Sequence, residues 1–492
     1  MSSFSSVPAD RVRVPNDGRV ASDGRYVLYW SGAYRRMGWN FALDRAVDWA
    51  RRLERPLLIA ETLRAGCRWA SRRHHEYVMQ GMVDNATLCQ EAGIGYYPFL
   101  APDPSAEIDF VSELAKAAAV VIGDDYPTRE LTDALASVAR KATARMEAID
   151  SNGLMPIRRS KRLFTTARSF RQFLQRELPD QLPTMPLARP LTSVRFPQLG
   201  PLPGPIGRRW QAASEAIRSS GAAAGLSIDE QVTPVSRRGG TLAARERLRR
   251  FVQRTLPRYA EERNQPEADA TSGLSPDLHF GHLSVHEIFH TVAASQDWSP
   301  GRLAERPTGT REEWWGMSAT AEAFLDELIT WRELGFNYCV QREDYDRFES
   351  LPDWARKTLA EHAADPRPHL YSLEQLDRAE THDTLWNAAQ RQLVREGRIH
   401  NYLRMLWGKK ILEWSASPEA ALEAMIELNN KYALDGQDPN SYSGIFWVLG
   451  RYDRPWGPIR PIFGTVRYMS SANTMRKVPV KGYVRTYAPE SE

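Results

Sequence analysis

The hydrophobic pattern changes its period part-way along the chain, and this change restricts the fold more than any other feature. Between residues 26 and 159, short apolar runs alternate with longer amphipathic stretches, which is the pattern of βαβ units. The candidate strands are YVLYW (26–30), PLLIAE (56–61), GIGYYPFL (93–100) and AVVIGD (119–124). We therefore predict an α/β domain with a parallel, doubly wound sheet over residues 1–159.

The second half of the chain has the helical period instead. Apolar residues recur at i, i+3 and i+4 in RERLRRFVQRTLPRYAEERN, AEAFLDELITWREL, DTLWNAAQRQLVREG and PEAALEAMIELNNKY. Residues 160–207 are rich in Pro and Arg, which predicts a connector that lies over the surface. We predict an all-α domain over residues 208–492, whose tail from Trp456 onward is extended.

Composition excludes several classes of protein. No apolar run approaches the roughly 18 residues of a membrane span, and the N-terminus lacks the apolar core of a signal peptide. The three cysteines, Cys67, Cys89 and Cys339, are too widely separated for a disulfide framework or a cysteine-held cluster. Lys+Arg 65 against Asp+Glu 61 gives a net charge of +4, which does not by itself indicate nucleic acid. We expect a soluble, monomeric, cytoplasmic protein.

One short motif indicates a metal site. His286-Glu287-Ile288-Phe289-His290 is an HExxH sequence, which in zinc hydrolases supplies two ligands and a general base. His279 and His282 extend this stripe of histidines. No third ligand is evident, so we assign no metal residues and keep a zinc hydrolase as the alternative from a different class.

Tryptophans form the second unusual feature. The chain has 15 of them, and Trp407 and Trp414 are seven residues apart. On a helix this spacing is two turns, with about 10.5 Å of rise and both indoles on nearly one face. Such a stripe suits either stepwise electron transfer or ordinary core packing.

Several long motifs stand in the order found in one known family. They are YVLYWSGAYRRMGWNFAL, TSGLSPDLHFG, DELITWREL, LWNAAQ, RMLWGKKILEW, LDGQDPNSYSG and FGTVRYM. Together they cover nearly the whole chain, which resembles the class II cyclobutane pyrimidine dimer photolyases of the photolyase/cryptochrome family. The resemblance implies an N-terminal antenna domain, which can hold a deazaflavin or folate pigment, and a helical FAD-binding domain.

The resemblance also implies the activity. It predicts a deoxyribodipyrimidine photo-lyase that repairs cyclobutane dimers in DNA by light-driven electron transfer from reduced FAD. The alternative within the family is a cryptochrome-like photoreceptor without repair activity. A (6-4) photolyase is a further alternative, since such enzymes have histidines at the lesion and this chain has the His279–His290 group.

The resemblance implies a set of residues that contact FAD. Hydroxyls and backbone N–H groups of the TSGLS loop suit a pyrophosphate, and an Arg–Asp pair against a flavin edge would stabilise the reduced anionic ring. By resemblance, Asn429 lies near the flavin N5. The expected FAD residues are Tyr259, Thr271, Ser272, Gly273, Leu274, Ser275, Arg404, Asn429, Asp435 and Asp438. Asp277 departs from the family pattern, which usually has an aromatic residue after the proline.

A flipped dimer is expected to bind an aromatic pocket with one carboxyl group. Indoles stack on the bases, and a carboxyl group hydrogen-bonds the dimer carbonyls if it carries a proton or is tightly held. The expected substrate residues are Glu327, Trp331, Asn401, Met405 and Trp447. At Asn401 the class II members commonly have glycine.

The resemblance assigns three tryptophans to electron transfer, and a run of basic residues near Trp456 suits either DNA phosphates or an ordinary solvated surface. Trp407 is expected nearest the flavin, Trp386 in the middle and Trp414 at the surface. Together with Glu327 and Asn429 these form the predicted catalytic set. The expected phosphate contacts are Arg451, Arg454, Arg460, Arg467, Arg476 and Lys477, interleaved with Trp456, Phe463 and Tyr468.

Overall fold

The computed structural model describes residues 5–192, 195–219 and 225–489. The chain forms two compact units. The first comprises Met1–Lys161, Glu177–Arg249 and Leu274–Gly301, and the second comprises Arg162–Arg176, Arg250–Gly273 and Arg302–Glu492. The domain limits 1–159, 160–207 and 208–492 stay a prediction.

The first unit contains one six-stranded sheet in the order β1-β6-β5-β2-β3-β4. The strands are β1 (Val12–Arg13), β2 (Tyr26–Ser31), β3 (Leu57–Arg64), β4 (Gly95–Ala101), β5 (Ala118–Asp124) and β6 (Arg145–Ile149). Strands β2 to β6 pair in parallel, and the short β1 pairs antiparallel with β6 at the edge. All four strands predicted from the apolar runs are confirmed, and β1 and β6 are added to them.

Both faces of this sheet are buried. Val27 and Tyr29 of β2 belong to one hydrophobic core, and Leu28 and Trp30 belong to another on the opposite face. This explains why parallel strands have nearly continuous apolar sequences, since each successive side chain enters a core. The predicted doubly wound α/β architecture is confirmed.

Helices cover the sheet and make up nearly all of the second unit. They are α1 (Phe41–Leu53), α2 (Arg72–Glu91), α3 (Pro104–Ala115), α4 (Arg129–Lys141), α5 (Ala167–Gln181), α6 (Ile206–Arg209), α7 (Thr241–Arg250), α8 (Tyr259–Glu262), α9 (Ser275–His279), α10 (Val285–Ser295), α11 (Ala319–Leu325), α12 (Arg332–Gln341), α13 (Asp353–Glu361), α14 (Leu373–Asp377), α15 (Thr384–Glu396), α16 (Asn401–Trp414), α17 (Pro418–Tyr432), α18 (Pro439–Val448), α19 (Ser471–Lys477) and α20 (Lys481–Thr486). The four segments with the helical period are all helical, as predicted.

Two segments are more helical than predicted. The predicted connector contains α5, because Phe170, Leu174 and Leu178 recur every four residues and are buried. The predicted extended tail contains α19 and α20, and the hydroxyl of Tyr483 donates to the Gln392 side chain at 2.7 Å. The helical period of apolar residues is weak in these segments, because Pro and Arg surround their few apolar positions, and the sequence therefore did not indicate helices there.

In the part of the chain that the structure describes, no helix combines the length and the apolar character that crossing a bilayer requires.

Candidate functional site

Two tryptophans stack face to face in the second unit. The ring centroids of Trp331 and Trp447 are 4.4 Å apart and the ring planes differ by 12°. Both side chains are half-buried. They form an aromatic surface of the kind on which a nucleobase stacks.

The packing of α12 against α18 brings these two indoles together. A Cβ atom added to Gly335 would lie 2.8 Å from the Cα atom of Asn440, so the two helices touch backbone to backbone at this point. Trp331 lies one turn before Gly335, and Trp447 lies two turns after Asn440. Only glycine at position 335 allows this approach, which sets the distance between the indoles.

A π-helical turn at Asp326–Trp331 joins α11 to α12 and carries the predicted carboxyl group. Arg263 Nη1 donates to Glu327 Oε1 at 2.6 Å. Burial raises the pKa of Glu327 above its ordinary value, and the positive charge of Arg263 acts in the opposite direction. The carboxyl group is therefore tightly held, which is one of the two conditions that the sequence required of it.

Arg263 also connects Glu327 with Tyr259. Its guanidinium lies 5.6 Å from the centroid of the Tyr259 ring. Burial, reinforced by the charge of Glu327, raises the pKa of Tyr259 to about 12. Sequence reasoning missed Arg263, although its position four residues after Tyr259 placed it one helical turn away.

Asn429 is held by the start of α18. Its amide Nδ2 donates to Ser441 Oγ at 2.7 Å and to Asn430 Oδ1 at 3.2 Å. It is 2% exposed, so its orientation depends on these two bonds. The amide of Asn429 is thus oriented before any ligand binds.

Free space lies over the middle of α18. A Cβ atom added to Gly444 would meet no heavy atom within 4 Å. Ser441 and Trp447 are three residues before and after Gly444 and share its face of the helix. This face therefore opens to a ligand between the Asn429 amide and the stacked indoles.

The predicted Arg–Asp pair is present. Arg404 Nη2 lies 3.1 Å from Asp435 Oδ1, and both side chains are half-buried. Asp438, by contrast, caps the N-terminus of α18, where its Oδ1 accepts from the main-chain N–H of Asn440 at 2.8 Å. Arg404 and Asp435 are available for a flavin edge, while a capping role already engages one oxygen of Asp438.

Three tryptophans of the predicted relay are buried between α15 and α16. The indole N–H of Trp386 donates to the carbonyl oxygen of Trp407 at 3.0 Å, and the indole N–H of Trp407 donates to Gln390 at 2.9 Å. The rings of Trp386 and Trp414 are 5.6 Å apart between centroids. Trp386 therefore contacts both of the other tryptophans, while the order of the three relative to a flavin stays a prediction.

The expected surface position of Trp414 is wrong. Its side chain is 2% exposed. Tyr371 and His382 cover it, with ring centroids 5.4 Å and 5.3 Å from that of Trp414. The segment before α15 folds back over the helix end, which the helical period of α16 could not indicate.

The loop from Thr271 to Ser275 lies where the chain passes from the second unit to the first. Thr271, Ser272 and Gly273 belong to the second unit and are half-buried, and Gly273 has φ +60°. Leu274 is buried and Ser275 begins α9. Their contacts with FAD stay a prediction. The expected contacts of Asn401 and Met405 with the dimer stay a prediction too; Asn401 is exposed and Met405 is half-buried.

The unusual Asp277 has its own partners in the first unit. Arg237 Nη2 lies 2.7 Å and Arg247 Nη2 2.5 Å from its carboxylate, and the Tyr77 hydroxyl donates to it at 2.5 Å. Burial alone would raise the pKa of Asp277, but the two arginines lower it. Two arginines and a tyrosine hydroxyl therefore satisfy the buried carboxylate that stands where the family usually has an aromatic residue.

The HExxH residues take part in contacts other than metal binding. Glu287 accepts from Arg245 Nε at 2.6 Å, His286 contacts Phe41 edge-on, and His290 packs on Trp39. Among residues 5–192, 195–219 and 225–489, no three His, Cys, Asp or Glu side chains are grouped so that they could hold a metal ion. The zinc alternative therefore lacks a ligand set in this part of the chain.

The predicted DNA-contacting cations divide into two groups. Arg451 is 3% exposed, lies 4.0 Å from the Tyr338 ring centroid and donates to the carbonyl oxygen of Ser350, so its expected phosphate contact is wrong. The remaining five are exposed: Arg454, Arg460, Arg467, Arg476 and Lys477. Arg454 and Arg467 both lie 5.4 Å from the ring of Trp456, whose side chain is 39% exposed.

Curated relatives identify the family. No family model matches the chain. The deoxyribodipyrimidine photo-lyase of Methanothermobacter thermautotrophicus is 33% identical over 481 residues, which cover 97% of this chain and 98% of the relative. The chain belongs to the deoxyribodipyrimidine photolyase family. The photo-lyase of Potorous tridactylus is also 33% identical, over 490 residues that cover 97% of this chain and 84% of the relative.

Solved structures of the photolyase/cryptochrome family share the fold. A bacterial class III photolyase from Agrobacterium tumefaciens has a TM-score of 0.64 at 17% identity and covers 94% of this chain, which covers 86% of it. A Synechocystis cryptochrome has a TM-score of 0.68 at 16% identity, with 94% and 89% covered. The predicted architecture is confirmed, and the class II assignment is consistent with the archaeal and eukaryotic photolyase relatives.

Photolyases are flavoproteins that bind FAD, and the residues of the second unit fit such a ligand. No heavy atom lies within 4 Å of a Cβ atom added to Gly444, and Ser441, three residues before it, holds the amide of Asn429. The half-buried Arg404–Asp435 pair supplies opposite charges of the kind that hold a flavin edge. FAD is the cofactor of the family, and its contacts with these residues stay a prediction.

Proposed function

We propose that the protein is a class II photolyase that uses light to repair cyclobutane pyrimidine dimers in DNA. The observation that carries the proposal is the stacked pair of Trp331 and Trp447 together with the held carboxyl group of Glu327, four residues before Trp331. Near-full-length relatives that are named deoxyribodipyrimidine photo-lyases support it.

The pocket residues have separate tasks in this proposal. The indoles of Trp331 and Trp447 stack on the flipped bases, worth roughly 1 to 3 kcal/mol per base. Glu327 Oε1 accepts from Arg263, which holds the side chain in place, and the protonated Oε2 donates to a dimer carbonyl oxygen. Together they orient the dimer and exclude water.

Reduced FAD, when bound, would supply the light-driven electron transfer that opens the cyclobutane ring. The chain contributes by positioning. Asn429 and the Arg404–Asp435 pair hold the flavin edge, and the open face at Gly444 allows close approach. With no net change in oxidation state, the reaction is that of a carbon–carbon lyase.

Trp407, Trp386 and Trp414 would relay an electron inward to restore the reduced flavin. Their burial and the contacts of Trp386 with the other two support this route. Tyr371 and His382 separate Trp414 from solvent. An electron from an external reductant would therefore have to pass these two side chains to reach Trp414.

DNA would bind through the exposed cations near the end of the chain. Arg454, Arg460 and Arg467 lie close to the exposed indole of Trp456 or to the Tyr468 ring. Phosphate contacts by such residues release counterions, so affinity should fall steeply with salt.

The first unit is the proposed holder of an antenna pigment. It contains a cavity of about 470 Å³ that is lined by Arg11, Arg13, Arg158 and several acidic residues. Asp125 and Asp150 line it too and directly follow β5 and β6, and ligands of α/β sheets bind beyond the carboxyl ends of strands. Titration of the purified protein with a deazaflavin and with a folate tests this assignment.

An absorption spectrum followed by a repair assay tests the whole proposal. The purified protein is expected to show flavin bands, and illumination with dimer-containing DNA under reducing conditions should lower the number of dimers. Flavin bands without light-dependent dimer loss would instead favour the cryptochrome-like photoreceptor. Light-dependent loss of (6-4) lesions alone, with cyclobutane dimers unchanged, would instead identify a (6-4) photolyase.

A further inference from the structure

The π-helical turn that carries Glu327 and Trp331 needs support from outside its own helix. In a π helix the hydrogen bonds span one residue more than in an α helix, and such turns are rare and frequently lie at functional sites. Here the turn begins at Asp326, directly before Glu327, and ends at Trp331. Whatever fixes Asp326 also fixes the direction in which Glu327 and Trp331 leave the helix.

Arg171 is the residue that fixes Asp326. Its Nε donates to Asp326 Oδ1 at 2.7 Å and its Nη2 to Oδ2 at 3.0 Å, which is a bidentate pair. The two side chains are 12% and 9% exposed. A pair with this geometry and burial restrains both partners strongly, because rotating either side chain breaks two bonds at once.

Arg171 is itself held. Its Nη1 donates to the carbonyl oxygen of Gly309 at 2.9 Å. One turn along α5, Gln175 accepts from the Gly309 N–H at 2.7 Å and donates to the Thr310 carbonyl oxygen at 2.8 Å. This part of α5 and the loop at 309–310 therefore form a rigid base from which Arg171 reaches Asp326.

We propose that Arg171 is a positioning residue for the lesion pocket, acting through Asp326 to hold Glu327 and Trp331 in the geometry that distinguishes a dimer from undamaged DNA. The inference rests on the proposed function. It goes beyond it by assigning part of the lesion specificity to α5, which contributes no residue to the predicted pocket.

Electrostatics supports the same role. Burial is the main cause of the raised pKa of Glu327; the charge of Asp326 raises it further, and the charge of Arg171 lowers it. The pair is nearly neutral as a unit, so it fixes the turn without adding a net charge beside the carboxyl group that should bind the dimer carbonyls. Arg171 and Asp326 do not need to touch the dimer.

The test compares binding of two oligonucleotides, one with a single thymine dimer and one undamaged, to the FAD-loaded protein. Arg171→Ala alone leaves a buried carboxylate unpaired and can unfold the protein, so the main variant is the double substitution Arg171→Ala/Asp326→Ala. It should keep its FAD content and its affinity for undamaged DNA. Its Kd for the dimer should rise about tenfold or more, because small misplacements of positioned groups are costly.

Arg171→Lys is the charge-conserving variant. It keeps the charge but cannot form the bidentate pair, so we expect a smaller loss of thermal stability than for Arg171→Ala and a several-fold rise in the dimer Kd. The matched control is Arg45→Ala/Glu147→Ala, which removes a similarly buried bidentate pair from the first unit. It should keep the wild-type ratio of the two affinities.

Three results would decide against the inference. If the Arg171/Asp326 double variant keeps the wild-type ratio of affinities, Arg171 has no positioning role. If the control pair lowers the ratio as much, the effect is a general loss of stability. If the wild-type protein itself does not prefer dimer DNA, the proposed function fails and this inference with it, and that failure is visible before any variant is made.

Discussion

The ammonium group of Lys409, in the middle of α16, donates a hydrogen bond to the main-chain carbonyl oxygen of Val448, the last residue of α18. The side chain is 1% exposed. It links the helix of the tryptophan relay to the end of the helix that carries Trp447. A cation at a helix C-terminus is favourable, but here burial dominates and lowers the pKa of Lys409 to about 7.

This lysine should make stability depend on pH. Its pKa is about 7 in the folded protein, against 10.5 for an ordinary solvated lysine, so the unfolded chain binds more protons between these values. Stability should therefore increase with pH in this window, by at most about 1.4 kcal/mol per pH unit, and this contribution is lost as pH falls through 7. Urea unfolding at several pH values should show a shallower slope for Lys409→Met than for wild type. The exposed Lys116→Met serves as the control and should keep the wild-type slope.

Trp407→Phe should block photoreduction of the flavin without preventing repair by enzyme that was reduced chemically beforehand. The substitution removes the relay member expected nearest the flavin and keeps an aromatic ring in the core, at a cost of lost packing. Absorption during illumination measures photoreduction, and dimer counting measures repair. Trp210→Phe, at a buried site in the first unit, is the control and should photoreduce normally. Normal photoreduction in Trp407→Phe would exclude the proposed route.

Glu327→Gln should retain FAD but bind dimer DNA about tenfold more weakly, since the neutral amide loses the charge-assisted bond by which Arg263 holds the side chain in place. The raised pKa of Glu327 means that the carboxyl group takes up a proton at higher pH than an exposed glutamate does. The pH dependence of dimer affinity that this proton causes should vanish in the variant. An unchanged affinity and pH profile, measured by fluorescence titration, would remove Glu327 from the pocket.

Two glycines should respond oppositely to added side chains. Gly444→Leu adds a side chain where a Cβ meets nothing, and glycine is a poor helix former, so the fold should gain up to about 1 kcal/mol while ligand binding is blocked. Gly335→Ala adds a methyl group against the backbone of α18 and should cost about 1 to 3 kcal/mol. Thermal unfolding and FAD content measure both effects. A Gly444→Leu protein that binds FAD and dimer normally would show that this face is not used.

The order of strands and helices could be predicted because each depends on local periodicity. Side chains such as Val27 and Leu28 alternate between two cores, and the apolar run of β2 records this directly. The candidate site was predictable only through the family motifs, since Trp331 or Asn429 alone matches ordinary helix packing. Arg263 and Arg171 lie outside these motifs, and the structure was needed to connect them with the site.

The sequence by itself determined the fold class, the family and the identity of the chemically important side chains, because periodicity and long motifs are properties of the chain alone. Only the tertiary structure decided which of these side chains meet. Asp277 gains its arginine and tyrosine partners from 30, 40 and 200 residues away, and Trp414 is covered by a segment that precedes α15. A helical period indicates which face of a helix is buried but not which segment covers it. The depth of burial and the charged partners of each side chain depend on that covering segment.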